Sequence, residues 1–303
     1  MLKGTLLYLA HNDTMRNFVI HNGATRAVSR RFVAGEVVDD AIEVTRTLNQ
    51  MKMHVSLDHL GENVTDAKEA ISAAQDYIAI LDRIKQAGVD ANISVKLTAL
   101  GLDISQELCE QNVCRILEYA QQFPIFVRID MEGSAYNEQT VDITLRMHKQ
   151  YEHVGTVIQS CMHRSKKHIE QLNAQGVRVR LVKGAYKEPK TVAFQLKTEV
   201  DQNFVRLMSM LLKRGNYPAI ATQDEAIINA TCKFARDNGI SKSAFEFQML
   251  YGIRRDLQEK LVSQGYNLRI YVPYGSQWYP YLMRRMAERP ANLFFILSNA
   301  IRR

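Results

Sequence analysis

Long apolar runs are missing from this chain of 303 residues. No stretch approaches the roughly 18 consecutive apolar residues that cross a bilayer, so any membrane contact is expected to be peripheral. The opening "MLKGTLLYLAHND" has one Lys and an apolar stretch of about six residues, short of a secretory signal, with no small-residue cleavage site behind it. Cysteine is scarce. The four thiols, Cys109, Cys114, Cys161 and Cys232, have neither CxxC nor Cys/His ligand spacing, which argues against a disulfide scaffold or a zinc site and suits reduced thiols in the cytoplasm. Six prolines and 15 glycines are too few for a fibrous or linker-rich chain.

What remains is a globular composition with 46% apolar residues. The length fits two domains of roughly 150 residues or one α/β barrel of about 250. Lys and Arg outnumber Asp and Glu by 39 to 32, a net charge of +7 that favours anionic ligands or surfaces. Apart from "HRSKKH" at 163–168 and the final "RR", the basic residues are dispersed, so no nucleic-acid partner is expected.

Residues 1–50 are polar with a helical rhythm, as in "DDAIEVTRTLNQM", and are read as an N-terminal helical segment; 51–303 are read as the catalytic unit. There, short apolar runs alternate with amphipathic stretches eight times. The strands are expected at 53–58, 92–97, 125–130, 155–160, 177–183, 218–222, 245–250 and 268–273. Helices are expected at 66–86, 106–122, 138–150, 166–175, 191–214, 224–238 and 254–264, several stopped by Gly88, Gly176, Gly215, Gly239 or Gly265. Eight β-then-α units predict a distorted (βα)8 TIM barrel. An open doubly wound sheet is the alternative, disfavoured because no strand leads into a GxGxxG or GxxxxGK loop.

Chemistry in such barrels gathers at the C-terminal strand ends. Here those ends carry Asp58, Lys96, Asp130, Gln159, Arg180, Lys183, Thr222, Gln223, Gln248 and Tyr271. Burying one unpaired charge costs several kcal/mol, so each charged position has a partner or a ligand. The eighth unit departs from the pattern. "YVPYGSQWYPYLMRRMAERP" is rich in aromatics where an outer helix would show one clean apolar stripe, so the last helix is expected over the barrel mouth. Arg284 and Glu288 share a helix face, with Arg285 about 100° away. Two guanidiniums there would suit a carboxylate, with Glu288 holding one in place.

With "KLTALG", "RIDMEGSAY", "RLVKGAYKEP", "FQMLYGIR" and "YVPYGSQWYPYLMRRMAERPAN" in this order, the chain resembles proline dehydrogenase from about residue 50 onward. The resemblance implies FAD as cofactor, oxidation of L-proline to Δ1-pyrroline-5-carboxylate, and membrane quinone as electron acceptor. Carried over by position, Arg284 and Arg285 would bind the substrate carboxylate. Lys96 and Asp130 would lie beside the substrate ring, Tyr271 would pack on it, and Leu250 and Tyr186 would line its apolar side. Gln159, Arg180, Lys183, Gly184 and Ala185 match the flavin contacts, with Thr222, Gln248 and Glu288 nearby; Asp130, Leu250 and Arg285 would border flavin and substrate alike. Gln223 stands in "ATQD" where the family commonly has His, so it could hydrogen-bond a flavin but carry no charge.

The chemistry fits that assignment. Hydride leaves a carbon next to nitrogen only if the amine lone pair is free. An amine with a pKa near that of Lys, about 10.4, costs about 4 kcal/mol to neutralise at pH 7, and nearby cations lower that cost. Arg180 could stabilise negative charge on a reduced flavin. Asp130 could orient Lys96 or meet the amine. A rival reading is a Schiff-base aldolase or lyase using Lys96 or Lys183, and another is a basic barrel binding an anionic macromolecule. The cationic, amphipathic tail "ANLFFILSNAIRR" is a candidate for contact with the inner face of the cell membrane.

Overall fold

The computed structural model describes residues 29–186 and 188–288, with backbone only at 284–288. The strands are β1 (His54–His59), β2 (Ala91–Val95), β3 (Val127–Ile129), β4 (Val154–Gln159), β5 (Arg178–Val182), β6 (Ala219–Ala221), β7 (Glu246–Leu250) and β8 (Asn267–Tyr274). Each runs parallel to the next, and β8 closes on β1 in register from His54↔Arg269 to His59↔Tyr274. Every apolar run singled out in the sequence is a strand, and the barrel is closed rather than open.

Helix α1 (Val38–Gln50) precedes the barrel. The crossovers are α2 (Ala67–Ala87), α3 (Gln106–Ala120), α4 (Asn137–His148), α5 (Ser165–Ala174), α6 (Lys197–Arg214), α7 (Glu225–Asp237) and α8 (Arg255–Ser263); α9 (Trp278–Glu288) follows β8. α2 illustrates why these segments are helical. The Asp66 carboxylate caps it by accepting from the backbone N–H of Lys68 and Glu69, and Gly88 ends it at φ 62°, a left-handed conformation that costs glycine nothing. Between them Ala70, Ala74, Tyr77, Leu81 and Ile84 recur every three or four residues and are buried, one apolar stripe against the barrel.

Two expectations need correction. The helix expected from 191 begins only at Lys197. Phe194 N–H donates to Cys161 O, His163 N–H donates to Val192 O, and Met162 and Ala193 form an antiparallel bridge. These backbone groups are committed to a neighbouring loop and cannot enter a helical ladder. Gly215 does follow α6, but at φ −81°, so it stops the helix in extended conformation, without the left-handed turn.

Strand alternation divides the barrel into two chemistries. Val55, Leu57, Ile93, Val95, Val127 and Ile129 are at most 1% exposed and belong to the main apolar core. Each such side chain contributes about 1.5–3 kcal/mol by leaving water. The residues between them, Ser56, Asp58, Ser94, Lys96, Arg128 and Asp130, turn the other way, into the barrel. Interiors of this kind are commonly filled by branched apolar side chains; here they are polar. At the C-terminal end, Trp278, Tyr279, Tyr281, Leu282 and Met283 of α9 cluster with Leu60, just past β1, and with Phe32 and Val33. Tyr281 also lies close enough to Tyr271 to help raise its pKa. The last helix therefore lies over the barrel mouth.

Candidate active site

At the end of β2, Lys96 Nζ lies 2.5 Å from Asp58 Oδ1, with side chains 11% and 2% exposed. Burial pushes the Asp58 carboxyl up, and Lys96 opposes it. Burial likewise opposes charge on Lys96, but Asp58, Tyr77 and Asp130 outweigh it and hold its pKa above the ordinary lysine value. The two form an ammonium–carboxylate pair. Asp58, not Asp130, thus orients Lys96.

Asp130, just past β3, has both oxygens engaged elsewhere. Oδ1 accepts from Arg180 Nη1 at 2.8 Å and Oδ2 accepts from the Tyr271 hydroxyl at 2.8 Å. Burial, with Asp130 and Asp58 adding to it, raises the Tyr271 pKa well above that of a free phenol, so Tyr271 stays a neutral donor. The Arg180 guanidinium carbon lies 5.2 Å from the Tyr271 ring centre, within cation–π range. Lys96, Asp130, Arg180 and Tyr271, drawn from four strands, therefore meet inside one mouth.

The neighbouring strand ends continue the polar ring. Gln159 Nε2 donates to Glu132 O at 3.2 Å, while its Oε1 is buried without a hydrogen-bond partner, as is Arg180 Nε. Lys183 Nζ contacts Asp201 Oδ1 at 2.5 Å and Asp224 Oδ2 at 2.7 Å, and Lys197 pairs with Asp201 as well. The hydrogen bond from Lys183 holds the Asp224 carboxyl below its usual range against the effect of burial. Thr222 is buried, and its Oγ1 accepts the Asp224 N–H at 3.1 Å; Gln223 is half-buried beside it.

Gly184 adopts φ +113°, and a Cβ there would come within 2.3 Å of Cys161 Sγ. Only glycine fits this approach. Gly184, Ala185 and Tyr186 form an exposed segment, with Tyr186 41% accessible. Gln248 sits deeper, donating to Glu246 Oε1 at 2.5 Å, and Glu246 pairs with Arg269 at 3.0 Å. Leu250 closes β7 half-buried. The side chains of Arg284, Arg285 and Glu288 lie outside the described residues.

Sequence reasoning left Ser56, Ser94, Asp201 and Asp224 out of the site and gave Asp58, though noted as a polar strand end, no role. A signal existed for three of them: Asp58 is a charged strand end, and Ser56 and Ser94 precede Asp58 and Lys96 by two, hence share their face. Asp201 and Asp224, on α6 and at the cap of α7, had no such signal. Among the described residues no group of His, Cys, Asp or Glu could hold a metal ion, and no helix is long and apolar enough to cross a membrane.

The family described as "Proline dehydrogenase" matches residues 41–297. The chain is 40% identical over 303 residues to "Proline dehydrogenase 1" of Bacillus subtilis subsp. natto, covering 100% of both chains. It is 40% identical over 284 residues to "Proline dehydrogenase" of Deinococcus radiodurans, covering 91% of this chain and 90% of that one. Among solved structures, proline utilization A (PutA) from Bdellovibrio bacteriovorus, inactivated by N-propargylglycine, superposes with a TM-score of 0.82 at 24% identity. That likeness covers 93% of this chain and 38% of PutA, and bears on the fold alone. By full-length identity and by family match, this chain belongs to the proline dehydrogenase family.

Proposed function

We propose that the protein oxidises L-proline to Δ1-pyrroline-5-carboxylate with FAD bound at the barrel mouth, passing the electrons to membrane quinone. The observation that carries this reading is the pair of buried, unpartnered atoms, Gln159 Oε1 and Arg180 Nε. A donor and an acceptor left open inside this mouth fit a ligand with both kinds of group. A flavin is such a ligand. FAD, when bound, would accept the hydride that leaves the ring carbon beside nitrogen as the C=N bond forms.

The chain's own residues would prepare the substrate. Lys96 is balanced by Asp58, and Arg180 by Asp130. Neither pair therefore imposes a net charge on the amine. The excess positive charge would come from Arg284 and Arg285 against Glu288, gripping the carboxylate and disfavouring the ammonium. Tyr271, fixed as a phenol by Asp130, and Leu250 would confine the ring.

The same geometry argues against a Schiff-base lyase. A lysine attacks a carbonyl only as the neutral amine, whereas Lys96 is held as an ammonium and Lys183 is shared between two aspartates. Turnover of L-proline by the FAD-loaded protein with an added quinone should give a product two hydrogens lighter. A borohydride-trapped lysine adduct, or no product, would reject the reading.

A further inference from the structure

We propose that Ser56 and Ser94 are positioning residues for this oxidation: they fix the rotation of the Arg180 guanidinium so that Nε is the nitrogen left open to the bound flavin. The inference rests on the preceding reading of Arg180 as a flavin neighbour.

Ser56 on β1 and Ser94 on β2 are 1% and 0% exposed. Their hydroxyl oxygens lie 3.1 Å apart, and Arg180 Nη2 reaches across the barrel to both, at 3.3 and 3.2 Å. Nη1 is engaged by Asp130 at 2.8 Å. A guanidinium is planar with five N–H donors in a fixed fork. One contact, at Nη1, would leave that plane free to swing about the Asp130 bond. The second contact, at Nη2, stops the swing, and the three bonds commit both terminal nitrogens to the protein side. Nε is the guanidinium nitrogen left without a bond, and it is buried with no hydrogen-bond partner.

The choice of serine matters electrostatically. A carboxylate at either position would hold Nη2 more tightly but would cancel Arg180, which Asp130 already balances. Two hydroxyls accept hydrogen bonds without adding negative charge, so the guanidinium can still stabilise charge gained by the flavin on reduction. The serine hydroxyls touch neither substrate nor cofactor in this assignment. They act through Arg180.

The test uses the full-length protein loaded with FAD, comparing wild type with Ser56→Ala, Ser94→Ala and the hydroxyl-retaining Ser56→Thr and Ser94→Thr. Each alanine variant should lower the flavin midpoint potential and reduce kcat about tenfold, roughly the worth of one hydrogen bond to a charged group. KM for proline should stay near wild type, and the threonine variants should recover both properties. If an alanine variant does not fold, Ser→Cys keeps the shape with a weak acceptor and is read in the same way. A lower melting temperature with wild-type potential and kcat would mean the serines only support the barrel, and would overturn the proposal. A wild-type protein that takes up no FAD would instead remove the functional reading, and this inference with it.

Discussion

Lys96 and Asp58 depend on each other because neither is hydrated. Asp58→Asn would leave a buried ammonium facing an amide. Breaking a buried pair from one side costs about 3–5 kcal/mol, so urea unfolding near pH 7 should show a loss of that order. The loss should shrink as pH rises. Without Asp58 the folded-state pKa of Lys96 would drop below the unfolded value of about 10.4, the unfolded chain would bind more protons, and stability would climb with pH. Wild-type stability in this variant would show that the pair is not the one described. The arginine pair makes a separate prediction. If Arg285 grips the substrate carboxylate, Arg285→Met should raise KM for proline at least about tenfold, the loss of one charge-assisted contact, with FAD still bound. Unchanged affinity for proline would reject that role.

Asp224 serves an element and the site together. It caps α7 through the Ala226 N–H at 3.1 Å and holds Lys183 at 2.7 Å. Its folded-state pKa lies below the ordinary carboxylate value. Its contribution is therefore present above the unfolded pKa of about 3.9 and is lost as pH falls through the folded value. Asn caps helices about as well as Asp, so Asp224→Asn should keep α7 intact and remove only the ionic part. The stability gap between wild type and variant should be open at neutral pH and close below about pH 4; a gap independent of pH would contradict this. Elements were also what the sequence disclosed best. All eight strands were legible because each is a short apolar run buried against helices, and α2 because Asp66 and Gly88 mark its ends. The start of α6 was not legible. Residues 191–196 carry helix-compatible side chains, and their backbone bonds to 161–163, made across the fold, keep them out of the helix.

As a whole molecule, the protein places its apolar ring between strands and helices and a small set of charges, among them Asp58, Lys96, Arg128 and Arg180, inside the barrel. The site was legible to the extent that polar residues interrupt otherwise apolar strand ends. Lys96, Asp130, Arg180 and Tyr271 were found that way, and they do meet. Which of them pair was not legible: Asp130 looked equally able to serve Lys96, and only closure of the barrel brings Arg180 and Tyr271 from β5 and β8 onto its two oxygens. The net charge of +7 belongs to this scale as well. We propose that a basic face, with residues 291–303, rests on the inner surface of the cell membrane, where quinone is found. Flotation with anionic liposomes should recover the intact protein and lose it on removal of 291–303; equal recovery would remove the tail from the argument. The central claim is that the polar mouth holds a flavin that L-proline reduces. Adding L-proline without oxygen to the FAD-loaded protein should bleach its visible absorption, and adding quinone should restore it. A protein that cannot be loaded with FAD, or whose colour L-proline leaves unchanged, would contradict the account.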